Sequence, residues 1–169
     1  MGTVTAATAD SFTRAWVSVE RTGKISHALK NAWQHSPLYP ELIAELTEKR
    51  LGSISAQDLE TLMAQYPDSA AIANLRWKKL FRLGRANWYK DFLFLYRPTD
   101  SVELNCYKLE ARYRLEQAKD ADHREAVRLW THGKSQPKAC DTLFSLIQQR
   151  GLITKEVRLR RIDHALEER

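Results

Sequence analysis

Glycine is scarce in this chain, six in 169 residues, and every one is isolated. No Gly-rich loop is therefore present to cradle a phosphate. Cysteine is scarcer still, with Cys106 and Cys140 alone. There is no C-x-x-C, and the five histidines form no H-E-x-x-H, so no metal-ligand spacing or cofactor motif stands in the chain. The nearest approach, His164 with Glu168 at i, i+4, reads as an exposed pair. No apolar run approaches the roughly 18 residues that would span a bilayer, and mean hydropathy is −0.52. The stretch Thr3 to Ala9 has neither a basic start nor an apolar core and does not read as a signal peptide. A flexible tail is expected over 1–9, ahead of a single domain over 10–169.

What is present suits one globular domain. At 19.6 kDa, a chain of this size buries about two-thirds of its unfolded surface and needs no staple to fold. Apolar residues make up 43% and charged residues 28%, which argues against disorder. Lys and Arg number 27 against 21 Asp and Glu, for a net charge of +6. That balance favours anionic partners in general without singling out nucleic acid. The two cysteines permit either one bridge or two buried thiols. Composition leaves the choice open.

Glycine placement carries the architecture. Gly23, Gly52, Gly84, Gly133 and Gly151 each follow a segment of helical apolar spacing and read as helix C-caps. Ile25, Ala28, Leu29, Ala32 and Trp33 recur at i, i+3, i+4, i+7 and i+8, and Leu59, Leu62, Met63 and Tyr66 repeat the pattern. Ser55 with Asp58 forms a start resembling a capping box. Phe92 to Tyr96 is an unbroken apolar run, but with helical neighbours and no partner strand it reads as helix. The expectation is an all-α fold of about ten short antiparallel helices, each of roughly 10 to 16 residues. Stacked pairwise, these would form an irregular superhelix like a tetratricopeptide solenoid, although no strict repeat recurs.

Catalytic chemistry is hard to find. Glycosidases pair carboxylates across a cleft, whereas Glu41, Glu45, Glu48, Asp58, Glu60, Glu103 and Glu110 scatter over polar helix faces and read as solvated. Nothing around Cys106 resembles a nucleophile's setting. Basic residues do cluster. Arg76, Lys78, Lys79, Arg82, Arg85 and Lys90 interleave with Trp77, Phe81, Trp88 and Tyr89. A second group is Lys155, Arg158, Arg160 and Arg161. Aromatics beside cations suit single-stranded nucleic acid or an anionic glycan. Helical spacing turns Ala73, Trp77, Leu80 and Phe81 inward and leaves Arg76, Lys79 and Arg82 outward, as a solvated face over a packed one. The five tryptophans, Trp16, Trp33, Trp77, Trp88 and Trp130, all sit on apolar faces and read first as packing.

One segment is distinctive. Leu129-Trp130-Thr131-His132-Gly133-Lys134-Ser135-Gln136-Pro137-Lys138-Ala139-Cys140-Asp141-Thr142-Leu143-Phe144 resembles the LW-x-x-G-x-S-x-P-x-A-C-D-x-L-F stretch in the helical N-terminal region of the large soluble lytic murein transglycosylases. Ser36-Pro37-Leu38-Tyr39-Pro40-Glu41-Leu42 is similar to an early segment of that family. Asn105-Cys106-Tyr107 is similar to the place where its first cysteine stands. The likeness runs from about Asp10 to Gly151.

The resemblance implies the family's U domain, a periplasmic superhelix of short helices, with Cys106 and Cys140 joined. The family cleaves the MurNAc–GlcNAc bond to a 1,6-anhydro-MurNAc end, using one Glu of a lysozyme-like domain marked by Glu-Ser and Gly-Leu-Met-Gln motifs. Neither motif occurs in these 169 residues, so the resemblance assigns a catalytic role to none of them. The resulting expectation is a non-catalytic scaffold or peptidoglycan-guiding domain with neither cofactor nor metal. Its partner would be peptidoglycan or a cell-wall enzyme, not nucleic acid, and Arg76, Lys79, Arg82 and Trp88 are the candidate contacts. The alternative is a free-standing protein-interaction module, an inhibitor or adaptor of a cell-wall enzyme.

Overall fold

A computed structural model describes residues 6–168. Ten α-helices follow in order: α1 Ala6–Thr22, α2 His27–Trp33, α3 Tyr39–Lys49, α4 Ala56–Gln65, α5 Ala70–Arg85, α6 Tyr89–Leu95, α7 Val102–Arg114, α8 Asp120–Trp130, α9 Asp141–Gln149 and α10 Lys155–Glu167. A 3-10 turn, Lys138–Cys140, leads into α9, and no strand occurs among the described residues. The fold is all-α. The helices run from 7 to 17 residues, a wider spread than the spacing predicts. The tail expected over 1–9 lies outside the described residues for positions 1–5, and α1 begins at Ala6.

Local chemistry explains where the helices begin. The side-chain oxygens of Ser26, Ser55, Ser101 and Thr154 accept hydrogen bonds from the backbone N–H three residues on, at 3.0 to 3.4 Å. Each satisfies a donor that the first helical turn would leave orphaned. At Ser55 the hydroxyl also donates to the Asp58 carboxylate at 2.7 Å. The Phe92–Tyr96 run is helical in α6 up to Leu95, where Tyr96 turns extended.

The helix ends correct part of the glycine reading. Gly23 and Gly151 take φ of +64° and +74° past α1 and α9, a conformation cheap only for a residue without Cβ. Gly52 and Gly133 do not adopt positive φ, and Gly84 lies inside α5. The left-handed residue beyond α5 is instead Asn87, at φ 58°. Gly84 answers to space: a Cβ there would stand 2.5 Å from Cδ2 of Tyr107. A Cβ on Gly133 would collide with the His164 carbonyl oxygen of α10.

The chain divides into two compact units, Met1–Lys79 and Leu80–Arg169, with α5 running across the division. In the first, Ala15, Val19, Trp33, Tyr39 and Leu42 form a core flanked by Phe12, Trp16, Leu29 and Tyr66, and α1 packs on α3. In the second, α7 is central and touches α6, α8, α9 and the 3-10 turn. Its core holds Cys106, Leu109, Tyr113, Leu129, Cys140, Leu143 and Ile147. Cys106 and Cys140 are disulfide-bonded, with Cα atoms 5.0 Å apart.

Candidate functional site

The four candidate contacts meet different fates. Arg76 is half-buried and reaches Glu60 at 3.4 Å, with its Nε buried and lacking a hydrogen-bond partner. Lys79 overturns the expected outward face: it is 2% exposed, and its ammonium donates to the carbonyls of Leu51 at 2.9 Å and Ile54 at 2.7 Å. The buried stripe of α5 is Ile72, Leu75, Lys79, Leu80 and Leu83, while Ala73 is exposed and Trp77 is 42% exposed. Burial on α5 follows Ile72 and Leu75, and Lys79 on the same side donates to the α3–α4 turn. Arg82 is exposed, and Trp88, ahead of α6, is 54% exposed. Of the five tryptophans, Trp33 is buried, Trp16 and Trp130 are half-buried, and Trp77 and Trp88 are exposed.

Within the second unit a polar cleft of about 480 Å³ opens where the end of α5, α7 and the 137–142 segment meet. Gly84, Arg85 and Asn87 form one wall, Glu103, Tyr107 and Glu110 the next, and Pro137, Lys138, Ala139 and Thr142 the third. Two causes hold these walls. The bare backbone of Gly84 admits the Tyr107 ring against α5. The Cys106–Cys140 bridge ties α7 to the residue following Ala139.

The two carboxylates of α7 are seven residues apart, so about two helical turns separate them on one face. Glu103 is compensated: Arg85 reaches it at 3.5 Å and the Tyr107 hydroxyl donates to it at 3.4 Å. Glu110 is 4% exposed, which corrects its reading as a solvated residue. The Tyr89 hydroxyl donates a hydrogen bond to it at 3.0 Å. Burial pushes its carboxyl above the ordinary 4.5, outweighing that hydrogen bond and the charge of Arg114. Burial, with the Glu110 charge next, raises the Tyr89 phenol as well. The packing of α7 accounts for this burial. Leu104, Cys106, Leu109, Ala111 and Tyr113 bury α7 on most of its circumference, leaving little polar face for Glu110 to occupy.

Among the described residues no group of three or more His, Cys, Asp or Glu could hold a metal ion, and no helix is long and apolar enough to cross a membrane. No protein-family model matches the sequence, and no curated protein does. A solved structure does match. The lytic transglycosylase Slt from Pseudomonas aeruginosa, determined as an inactive mutant, superposes with a TM-score of 0.76 and 30% identity over 94% of this chain. The chain is homologous to part of a lytic transglycosylase. It spans 26% of that lytic transglycosylase's length. The likeness therefore belongs to one helical portion of a larger enzyme, and fold alone does not carry chemistry from one chain to another.

Proposed function

We propose that this chain is a non-catalytic helical accessory domain of a lytic transglycosylase, which holds or guides peptidoglycan strands in the periplasm. The observation carrying the proposal is the 30% identity to Slt, sustained over 94% of this chain with a TM-score of 0.76. The Cys106–Cys140 disulfide suits an oxidising compartment. The contact surface is the α5–α6 corner. There Trp88 offers a half-exposed indole for the apolar face of a sugar ring, and Arg82 and Lys90, both exposed, offer cations to stem-peptide carboxylates. Lys79 is withdrawn from this role by its burial.

The test is sedimentation with purified sacculi across a salt series, with muropeptide release assayed in the same tubes. Binding that weakens with salt, releases no product and falls in Trp88→Ala and Arg82→Ala is the expected result. Anhydro-muropeptide release by this chain alone would overturn the non-catalytic reading, and absence of binding would overturn the guiding role. A second reading, a protein-interaction module, is favoured by α10. No residue of that helix is buried, and Leu159, Ile162 and Leu166 are 51%, 55% and 60% exposed. Leu159→Ser with Ile162→Ser would abolish a protein contact while leaving sacculus binding intact.

A further inference from the structure

The cleft of the second unit holds two charges that its own residues leave unmatched. Glu110, 4% exposed, receives a neutral phenol hydrogen bond and only the more distant charge of Arg114. Burying a carboxylate without a contacting cation is costly, and sites that keep such a group are candidates for ligand binding. Across the cleft Lys138 is exposed, and no carboxylate pairs with it among the described residues. The remaining pair, Arg85 and Glu103, already satisfy one another.

We infer that this cleft binds a small zwitterion of amino-acid or dipeptide size, with its ammonium on Glu110 and its carboxylate on Lys138. A ligand carrying both charges supplies what each wall lacks, whereas an anion would meet the Glu110 carboxylate and a simple amine would leave Lys138 unmatched. A volume of about 480 Å³ falls within the range of small-molecule pockets. Tyr107, lying between Glu103 and Glu110 on α7, offers a ring edge and a hydroxyl to the ligand backbone. The disulfide fixes the Lys138 wall against α7, so little ordering is left for the ligand to impose. This site is independent of the glycan surface at Trp88, and either can fail alone.

The experiment is a titration of the nitrogen-15-labelled protein with alanyl-alanine, followed by amide chemical shifts. Saturable shifts confined to residues 84–89, 103–110 and 137–142 are expected. The dissociation constant should rise at least about tenfold, the value of one lost charge contact, in Glu110→Gln, in Lys138→Met and for N-acetyl-alanyl-alanine. Glu110→Gln keeps an acceptor for Tyr89 and Lys138 is exposed, so both variants remain folded. Their unchanged spectra away from the cleft verify this. Absence of shifts, shifts that persist in both variants, or equal binding of the N-acetylated dipeptide or of neutral diacetylchitobiose would overturn the inference.

Discussion

The ammonium of Lys79 donates to the carbonyl oxygen of Ile54 at 2.7 Å, from a position 2% exposed. A second donation, to Leu51 at 2.9 Å, completes a clamp on the turn between α3 and α4. A chain leaving one helix and entering the next exposes carbonyls without intrahelical partners. A buried lysine supplies three donors at one point.

Replacing that ammonium with a methyl group of similar length isolates its contribution. Lys79→Met leaves both carbonyls without this donor and should lower stability by about 2–4 kcal/mol. The neighbouring Lys78 pairs with Glu48 at the surface, its side chain 42% exposed. Lys78→Met should therefore cost less than about 1 kcal/mol. Urea unfolding of the two variants side by side measures the contrast. Equal midpoints would show that the clamp contributes nothing.

Gly84→Ala should reverse the usual effect of such a change within a helix. Alanine normally gains about 1 kcal/mol over glycine there. At this position the new Cβ would lie 2.5 Å from the Tyr107 ring, and overpacking of that kind costs about 1–3 kcal/mol. The double variant Gly84→Ala with Tyr107→Ala should recover part of the loss. A thermal melt of the three proteins reads the coupling.

Reducing the disulfide should destabilise the second unit. The bridge closes a loop of 34 positions, and on loop entropy that constraint is worth about 4 kcal/mol. The paired variant Cys106→Ser with Cys140→Ser should show the same loss, read as faster amide exchange at Leu109, Leu143 and Ile147. Exchange in these residues that ignores reductant would contradict the estimate.

Two buried acids should give opposite pH responses. Burial works to raise the Asp122 carboxyl, but the Lys119 backbone N–H, the hydrogen bond and charge of Arg112 at 2.8 Å, and the charge of Lys108 together hold it below 3.8. Its folded pKa is depressed, so its contribution is present above 3.8 and is lost as pH falls through the folded value. Glu110 is raised, so the folded state favours its protonated form. That contribution is full below 4.5 and is lost as pH rises through the folded value. Asp122→Asn should therefore destabilise at pH 7 by about 1–3 kcal/mol, with a shrinking deficit in acid. Glu110→Gln should stabilise at pH 7, with no gain below about pH 4. Denaturant midpoints at both pH values test the two signs.

Much of the fold is written locally. The i, i+3, i+4 spacing, the Ser55–Asp58 start and the glycines past α1 and α9 act within one helical turn, so a linear reading finds them. The same spacing recovers α6 from an apolar run that could pass for a strand, because no partner strand is at hand. The cysteine motif points to a known helical architecture, and the structural likeness to part of Slt agrees with it.

The site required the tertiary structure. On α5 the spacing points inward with Ala73, Trp77, Leu80 and Phe81, whereas the buried residues are Ile72, Leu75, Lys79, Leu80 and Leu83. Lys79 on the buried side donates to the carbonyls of the turn at Leu51 and Ile54, while Trp77 is 42% exposed. Gly84 and Gly133 look like helix stops in sequence, yet each exists for a neighbour more than 20 residues away. Glu110 appears as one acid among many until α7 is surrounded. Helical period and end chemistry are properties of adjacent residues, and the sequence by itself determined those. Which face is buried, and which charge is left without a partner, depends on distant segments, and only their packing decided it.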